Sequence, residues 1–174
     1  RGKGGAGLVY TEITCVSSEG RITPGCAGLY DPDHEISWAR ITDFVHSNTE
    51  AKICCQIGHS GRKGSTQLGW EMMDAPLAKD NWDLISASAI PWSENNSIPS
   101  EINREEMEKV KSEFTDSVAM ANRAGFDMIE LHAAHGYLIS SFISPVSNQR
   151  TDQYGGTFEN RMRFPLEVFE AMRA

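Results

Sequence analysis

The sequence predicts an α/β fold built on a parallel sheet. Short apolar runs rich in β-branched residues alternate with longer amphipathic runs, in the order strand, helix, strand, helix, strand, helix. That alternation is the pattern of parallel βα units. Each apolar run also ends in polar side chains, and parallel α/β folds place their sites at the carboxyl ends of strands.

Gly7 to Thr14 is apolar and β-branched after a glycine cluster, and reads as the first buried strand. Pro24, Gly25 and Gly28 mark a loop. Asp33 is then placed to cap a helix reaching about Asn48, with Trp38, Ile41, Phe44 and Val45 on one face. Lys52 to Ile57 is the second strand. A long excursion at about 58–101 follows, punctuated by Gly61, Gly64, Gly69, Pro76, Pro91 and Pro99. Within it, Leu84 to Ile90 reads as a short hairpin arm. Asn103 with Glu106 has capping-box spacing. Met107, Val110, Phe114, Val118 and Ala121 form the buried stripe of the helix it starts. Gly125 stands where a left-handed terminating residue belongs, and Asp127 to Leu131 is the third strand. A last helix runs from about Thr157 toward Ala174, with Phe158, Met162, Leu166 and Phe169 on one side. Pro165 marks a kink in it or a later start.

Composition excludes several classes. Of 174 residues, 40% are hydrophobic and 23% charged, values of a chain that packs a core rather than staying disordered. The net charge of −8 repels a phosphate backbone, so nucleic acid is not expected as a partner. No apolar run approaches the roughly 18 residues of a membrane span. No apolar signal core opens the chain. The cysteines Cys15, Cys26, Cys54 and Cys55 form no CxxC. Adjacent Cys54 and Cys55 point to opposite faces of a strand and cannot share a metal. Reduced cysteines in a cytoplasmic protein are expected.

Three strand ends carry chemistry: Thr14-Cys15, Gln56-Ile57-Gly58-His59, and His132-Ala133-Ala134-His135-Gly136-Tyr137. His132 and His135 share a face if the backbone turns helically after the strand. Two imidazole donors so placed hold a carbonyl or anionic oxygen, and Tyr137 adds a phenol able to deliver a proton. The same two histidines would also suit a satisfied core pair, or a zinc site in a metal-dependent hydrolase. Zinc needs a third ligand nearby, HExxH is absent, and no metal is expected. Gln56 carries both a donor and an acceptor, matching an imide-like edge or plain solvent. His59 to Gly64 is a basic, flexible loop open to an anion or to water. Gly2 to Gly7 formally matches GxGxxG, but it precedes a strand rather than following one, so it is a connection and not a nucleotide site.

The run from Ile129 to Leu138, the run Phe142 to Gly156 (FISPVSNQRTDQYGG) and Glu159-Asn160-Arg161 closely resemble the old yellow enzyme family of FMN-dependent NADH:flavin oxidoreductases and ene reductases. Gly7-Leu8-Val9 with Glu12, Gly20-Arg21-Ile22 and Gln56 to Lys63 are similar to its bacterial branch. Gly61 to Thr66, Trp70-Glu71, Asn81-Trp82 and Leu84 to Ser88 resemble the flavin-oxidoreductase domain of salicylyl-CoA 5-hydroxylase and anthraniloyl-CoA monooxygenase-type proteins.

The resemblance implies a partial TIM (β/α)8 barrel, covering about the second to fourth βα units. Residues 1–174 would then form one incomplete FMN-binding domain with both ends inside the fold, since a whole barrel needs about 250 residues. Cys15 matches a position whose backbone contacts the flavin, and Gln56 the glutamine that pairs with the isoalloxazine. His132 and His135 match the pair that binds the substrate carbonyl or phenolate, and Tyr137 the proton donor. Arg150, Asp152, Tyr154, Asn160 and Arg161 match a signature read as structural. The implied activity is reduction of an activated alkene, an enone or a dearomatised aroyl-CoA, with NAD(P)H as reductant and FMN as carrier. The implied partners are small molecules and, at most, further copies of the chain. The alternative is an inactive fragment or an assembly module of a larger protein. The family's first barrel strand would lie before Arg1. The arginine near the flavin, the glycine-rich phosphate site and the iron-sulfur cysteines of the dienoyl-CoA reductase branch would lie after Ala174.

Overall fold

The computed structural model describes residues 1–174. In chain order it contains β1 (Leu8–Tyr10), β2 (Thr14–Cys15), α1 (Pro32–Asn48), β3 (Lys52–Gly58), β4 (Ile85–Ser86), β5 (Ser100–Glu101), α2 (Arg104–Arg123), β6 (Met128–Leu131), α3 (Leu138–Ile143) and α4 (Phe158–Arg173). Short 3-10 turns occupy Gly2–Gly4 and Gly61–Lys63. No helix is long and apolar enough to cross a membrane.

The central sheet is parallel throughout. β1 pairs with the first half of β3 and β2 with its second half, while β6 pairs with the other edge. β1 and β2 are therefore one strand interrupted at residues 11–13. Tyr10 pairs with Cys54 and Thr14 with Ile57, four steps against three, which is a bulge of one residue. The break in the expected single strand has a local cause. The Gln56 N–H, which would bond a carbonyl in a regular ladder, donates instead to the Thr11 hydroxyl at 3.0 Å.

Alternation along β3 sorts the side chains. Ile53, Cys55 and Ile57 point to the helix-covered face and join the core with Phe114, Ala121, Phe142, Phe164 and Val168. Val9, Ile129 and Leu131 pack against the same cluster. Gln56, with Tyr10, Met128 and Glu130, faces the other side, where Tyr10 is 50% and Met128 47% exposed. This is the face a barrel turns inward.

The helices confirm some expectations and correct others. The Asn103–Glu106 capping box forms, and Gly125 ends α2 at φ 83°. Met107, Val110, Phe114 and Ala121 are buried as expected. α1 is capped by Asp31 rather than Asp33, and Ile41 and Phe44 are exposed. Thr42 is its buried residue, and its hydroxyl donates to the Ala124 carbonyl and so ties α1 to the end of α2. α4 runs unbroken through Pro165, and its buried side is Phe164, Pro165 and Val168; Phe158, Leu166 and Phe169 are exposed. The expected hairpin arm is absent: β4 pairs in parallel with β5 across the excursion. α3 arises where no helix was expected.

The segment after α3 is structural. The Asn148 side chain donates to the carbonyls of Phe142 and Tyr154, both at 2.8 Å. The nearly buried Arg150 donates to the carbonyls of Ala87 and Ile102 and pairs with Asp152. Arg161 reaches the Ile143 carbonyl at 2.8 Å. These bonds fasten α3 and α4 to the β4–β5 excursion.

Candidate functional site

The carboxyl ends of β3 and β6 lie side by side, and the parallel register sets Gln56 opposite Glu130. The Gln56 amide nitrogen donates to the Glu130 carboxylate. Because a carboxylate only accepts, this contact fixes which way the amide lies. The Gln56 carbonyl and its second N–H are left without a partner within the chain. Glu130 escaped the sequence reading; its signal is its position, two residues before His132 on the same face of a strand.

β6 ends with the His132 N–H donating to the Ile57 carbonyl at 2.9 Å. Close packing here needs Gly58, because a Cβ on it would stand 3.1 Å from the Cβ of His132 and 2.7 Å from Ile13. The chain then turns, with no helix, through His135 at φ 58° and Gly136 at φ 74°. This turn, rather than the expected helical one, brings His132, His135 and Tyr137 together. Ring centroids are 4.9 Å apart for the two histidines, 5.0 Å for His132–Tyr137 and 6.0 Å for His135–Tyr137.

The hydrogen bonds assign the imidazole protons. The Ala134 N–H donates to His132 Nδ1 at 3.3 Å, so that nitrogen accepts. Nε2 of the neutral ring then carries the proton, which points at Nδ1 of His135, 3.0 Å away. His135 consequently offers its own Nε2–H outward. Burial, and then the neighbouring His135, hold the His132 pKa below the ordinary imidazole value. His132 is buried and His135 exposed, so the pair runs from the interior to the surface. Burial, followed by the nearby Cys26 and Asp74, raises the Tyr137 phenol above its ordinary value. It stays protonated at neutral pH.

Cys15 is fully buried at the end of β2. Its N–H donates to the Ala27 carbonyl and its C=O accepts from Leu29 N–H, both at 2.9 Å. Its backbone is thus already engaged. The backbone left free beside the site belongs to Ile13, whose N–H and C=O join none of the chain's hydrogen bonds. The bulge that frees it is not visible in sequence pattern, because it depends on pairing with β3. The Cys26 sulfur accepts from the Thr23 N–H at 3.3 Å. The neighbouring Cys26 and burial raise the Cys15 thiol far above the thiol range, while the neighbouring Cys15, with help from Thr23, brings Cys26 down to about 5.

The expected flexible basic loop is instead buried and ordered. His59 to Arg62 are buried; His59 accepts from Gly61 N–H at 3.0 Å, and burial lowers its pKa to about 4. The Leu138 N–H donates to the His59 carbonyl at 3.0 Å, which locks this turn to the start of α3. No group of three His, Cys, Asp or Glu side chains is arranged to hold a metal ion.

Comparison with known proteins bears on this arrangement. The profile of the NADH:flavin oxidoreductase / NADH oxidase family matches residues 1–174. The NADH:flavin oxidoreductase FG08077 of Gibberella zeae is 44% identical over 174 residues, covering 97% of this chain and 42% of that protein. The NADPH dehydrogenase of Bacillus velezensis is 40% identical over 173 residues, covering 99% of this chain and 47% of that protein. Among solved structures, morphinone reductase superposes with a TM-score of 0.85 at 29% identity, over 98% of this chain and 47% of its own. Its complex with tetrahydroNAD superposes with a TM-score of 0.81 at 30% identity, over 95% of this chain and 47% of its own. The chain thus spans less than half the length of the relatives it matches.

Proposed function

Because the chain belongs to the NADH:flavin oxidoreductase / NADH oxidase family, we propose that it is the part of an FMN-dependent NAD(P)H oxidoreductase that binds and protonates an activated alkene. The observation that carries this reading is the convergence of His132, His135 and Tyr137 at the carboxyl end of β6, on the open face that also carries Gln56. The fold, a portion of a (β/α)8 barrel, puts that face inside the barrel.

The residues present suit a flavin. Gln56 has a free acceptor and a free N–H, and Ile13 has a free N–H and C=O beside it. Together they offer the alternating donors and acceptors that an imide-like ring edge requires. When bound, FMN supplies a hydride to the β-carbon of the alkene after taking one from NAD(P)H. Glu130 holds the Gln56 amide in the orientation that keeps its carbonyl available.

The histidines then do one job and the tyrosine another. As the chain stands, His135 Nε2–H is the free donor of the pair. A carbonyl or phenolate oxygen that takes both imidazole protons replaces the His132–His135 bond. Two imidazole N–H donors aimed at such an oxygen polarise it. Tyr137, kept protonated by burial, delivers its proton to the α-carbon. Enones fit this arrangement directly. A dearomatised aroyl-CoA presents the same conjugated carbonyl, and the likeness of Gly61 to Thr66 and of Trp70-Glu71 to CoA-linked proteins favours that class among acceptors.

In the flavin-loaded full-length protein, Tyr137→Phe should slow alkene reduction by about 10²- to 10⁴-fold. Flavin reduction by NAD(P)H, followed by stopped-flow absorbance, should change by less than roughly twofold. Equal slowing of the two half-reactions would remove Tyr137 from the proton-donor role.

A further inference from the structure

One cation beside the His–Tyr group has no part in the steps above. The Lys63 ammonium lies 3.9 Å from the Trp92 ring centroid and 5.3 Å from that of Tyr137. Its hydrogen-bond partner is the His135 carbonyl, at a long 3.4 Å. None of the chain's ion pairs includes Lys63, although acidic residues outnumber basic ones 24 to 16. In so acidic a protein a surface lysine meets a carboxylate easily. This one is held by aromatic faces instead.

The surroundings hold it there from several directions. Buried Arg62 donates to the Ile90 and Pro91 carbonyls at 3.3 and 3.4 Å, which fixes the turn that presents Trp92. The Arg62 guanidinium is itself 5.6 Å from the Trp92 ring. Gly136 leaves room for the indole: a Cβ there would stand 3.0 Å from it, and φ of 74° disfavours any side chain. An ammonium over an aromatic face is attracted by the ring quadrupole but keeps its N–H donors. One of three goes to His135, so two remain free beside the phenol of Tyr137.

We propose that Lys63, seated on Trp92, binds an anionic substituent, a carboxylate or phosphate, of a molecule entering the His132–His135–Tyr137 site, and so selects anionic over neutral ligands. The inference rests on the oxygen-binding role of that site. The anion is either a substituent of the alkene acceptor or the diphosphate of the reductant.

The test uses the flavin-loaded full-length protein, with Lys63→Met, which keeps the stem on Trp92 and removes the charge, and Lys63→Arg, which restores it. Binding of 3- and 4-hydroxybenzoate is measured by calorimetry against the neutral 3- and 4-hydroxybenzamide, which share the phenol. If the anion belongs to the acceptor, Lys63→Met should weaken at least one benzoate by about tenfold and leave its benzamide unchanged, and Lys63→Arg should recover the benzoate. The second arm compares flavin reduction by NADH with reduction by 1-benzyl-1,4-dihydronicotinamide, which lacks the diphosphate. A loss confined to the benzoates assigns the anion to the acceptor, and a loss confined to NADH assigns it to the reductant. Equal weakening of benzoate and benzamide would make Lys63 a structural residue and overturn the proposal. So would an unchanged response in both arms. If none of the four phenols binds the wild-type protein, the oxygen-binding role of His132 and His135 falls first, and this inference with it.

Discussion

The two faces of the central sheet are built on opposite principles. Toward the helices, Ile53, Cys55 and Ile57 of β3 sit in one continuous apolar cluster with side chains from α2, α3 and α4. Toward the open side, the same strand offers Gln56, and its neighbour β6 offers Glu130 and then His132. The difference teaches that one strand divides its labour by parity: odd positions hold the fold, and even positions face the chemistry. A slip of one residue in the β3 register would exchange the two sets, which is why pairing on both edges matters.

The largest expected effect comes from the helix-covered face. Phe114 is fully buried in the middle of α2. Phe114→Ala removes an aromatic ring from the cluster that covers β3 and should cost about 3–5 kcal/mol of stability by denaturant unfolding of the full-length protein. A loss below about 1 kcal/mol would mean that this face does not carry the fold, and the comparison would fail.

An intermediate effect is expected at the amino-terminal end of the sheet, away from both the core and the chemistry. Asp127 accepts from His46 at 2.7 Å and from Ile53 N–H at 2.9 Å, and pairs with Lys52 at 3.0 Å. The His46 bond, then the Ile53 N–H, hold its carboxyl well below the ordinary carboxylate range. A carboxyl with a depressed folded pKa stabilises above its unfolded value and loses that contribution as pH falls toward the folded one. Asp127→Asn should therefore be less stable by about 1–3 kcal/mol at pH 7. The gap from wild type should narrow as pH drops below about 4. A gap that is constant from pH 7 to 3 would show that the charge of Asp127 is not what joins α1, β3 and β6.

The parts of this architecture that sequence exposes are those fixed by local chemistry. The Asn103–Glu106 cap, the Met107-to-Ala121 stripe and Gly125 each need only neighbours within a few residues, and each appears as expected. The helix faces are harder to read, because apolar spacing marks several sides at once and only the packing partner chooses among them. In α4 the partners choose Phe164 and Val168, leaving Phe158 exposed and Leu166 and Phe169 along an open groove beside β6. The site divides in the same way. His132, His135 and Tyr137 stand close in sequence, and their juxtaposition was legible. Glu130 as the partner of Gln56, and Ile13 as the free backbone, arise from pairing between β3 and strands far away in sequence.

The smallest effect on stability, and the sharpest contrast with Phe114, is expected on the open face. Glu130 is half-buried, and its role within the chain is to accept the Gln56 amide. Glu130→Gln keeps the shape and offers an amide carbonyl to the same N–H, so stability should change by no more than about 0.5 kcal/mol. The substituted amide can also donate, however, and then the Gln56 side chain is free to turn over and present N–H groups where its carbonyl stood. Flavin affinity should accordingly fall by a few-fold to tenfold, corresponding to about 1 kcal/mol, measured by fluorescence on titrating FMN into the apoprotein. Unfolding and FMN titration of this one variant separate the two faces. A stability loss as large as that of Phe114→Ala would make Glu130 part of the scaffold, whereas unchanged FMN affinity would remove Gln56 orientation from the site.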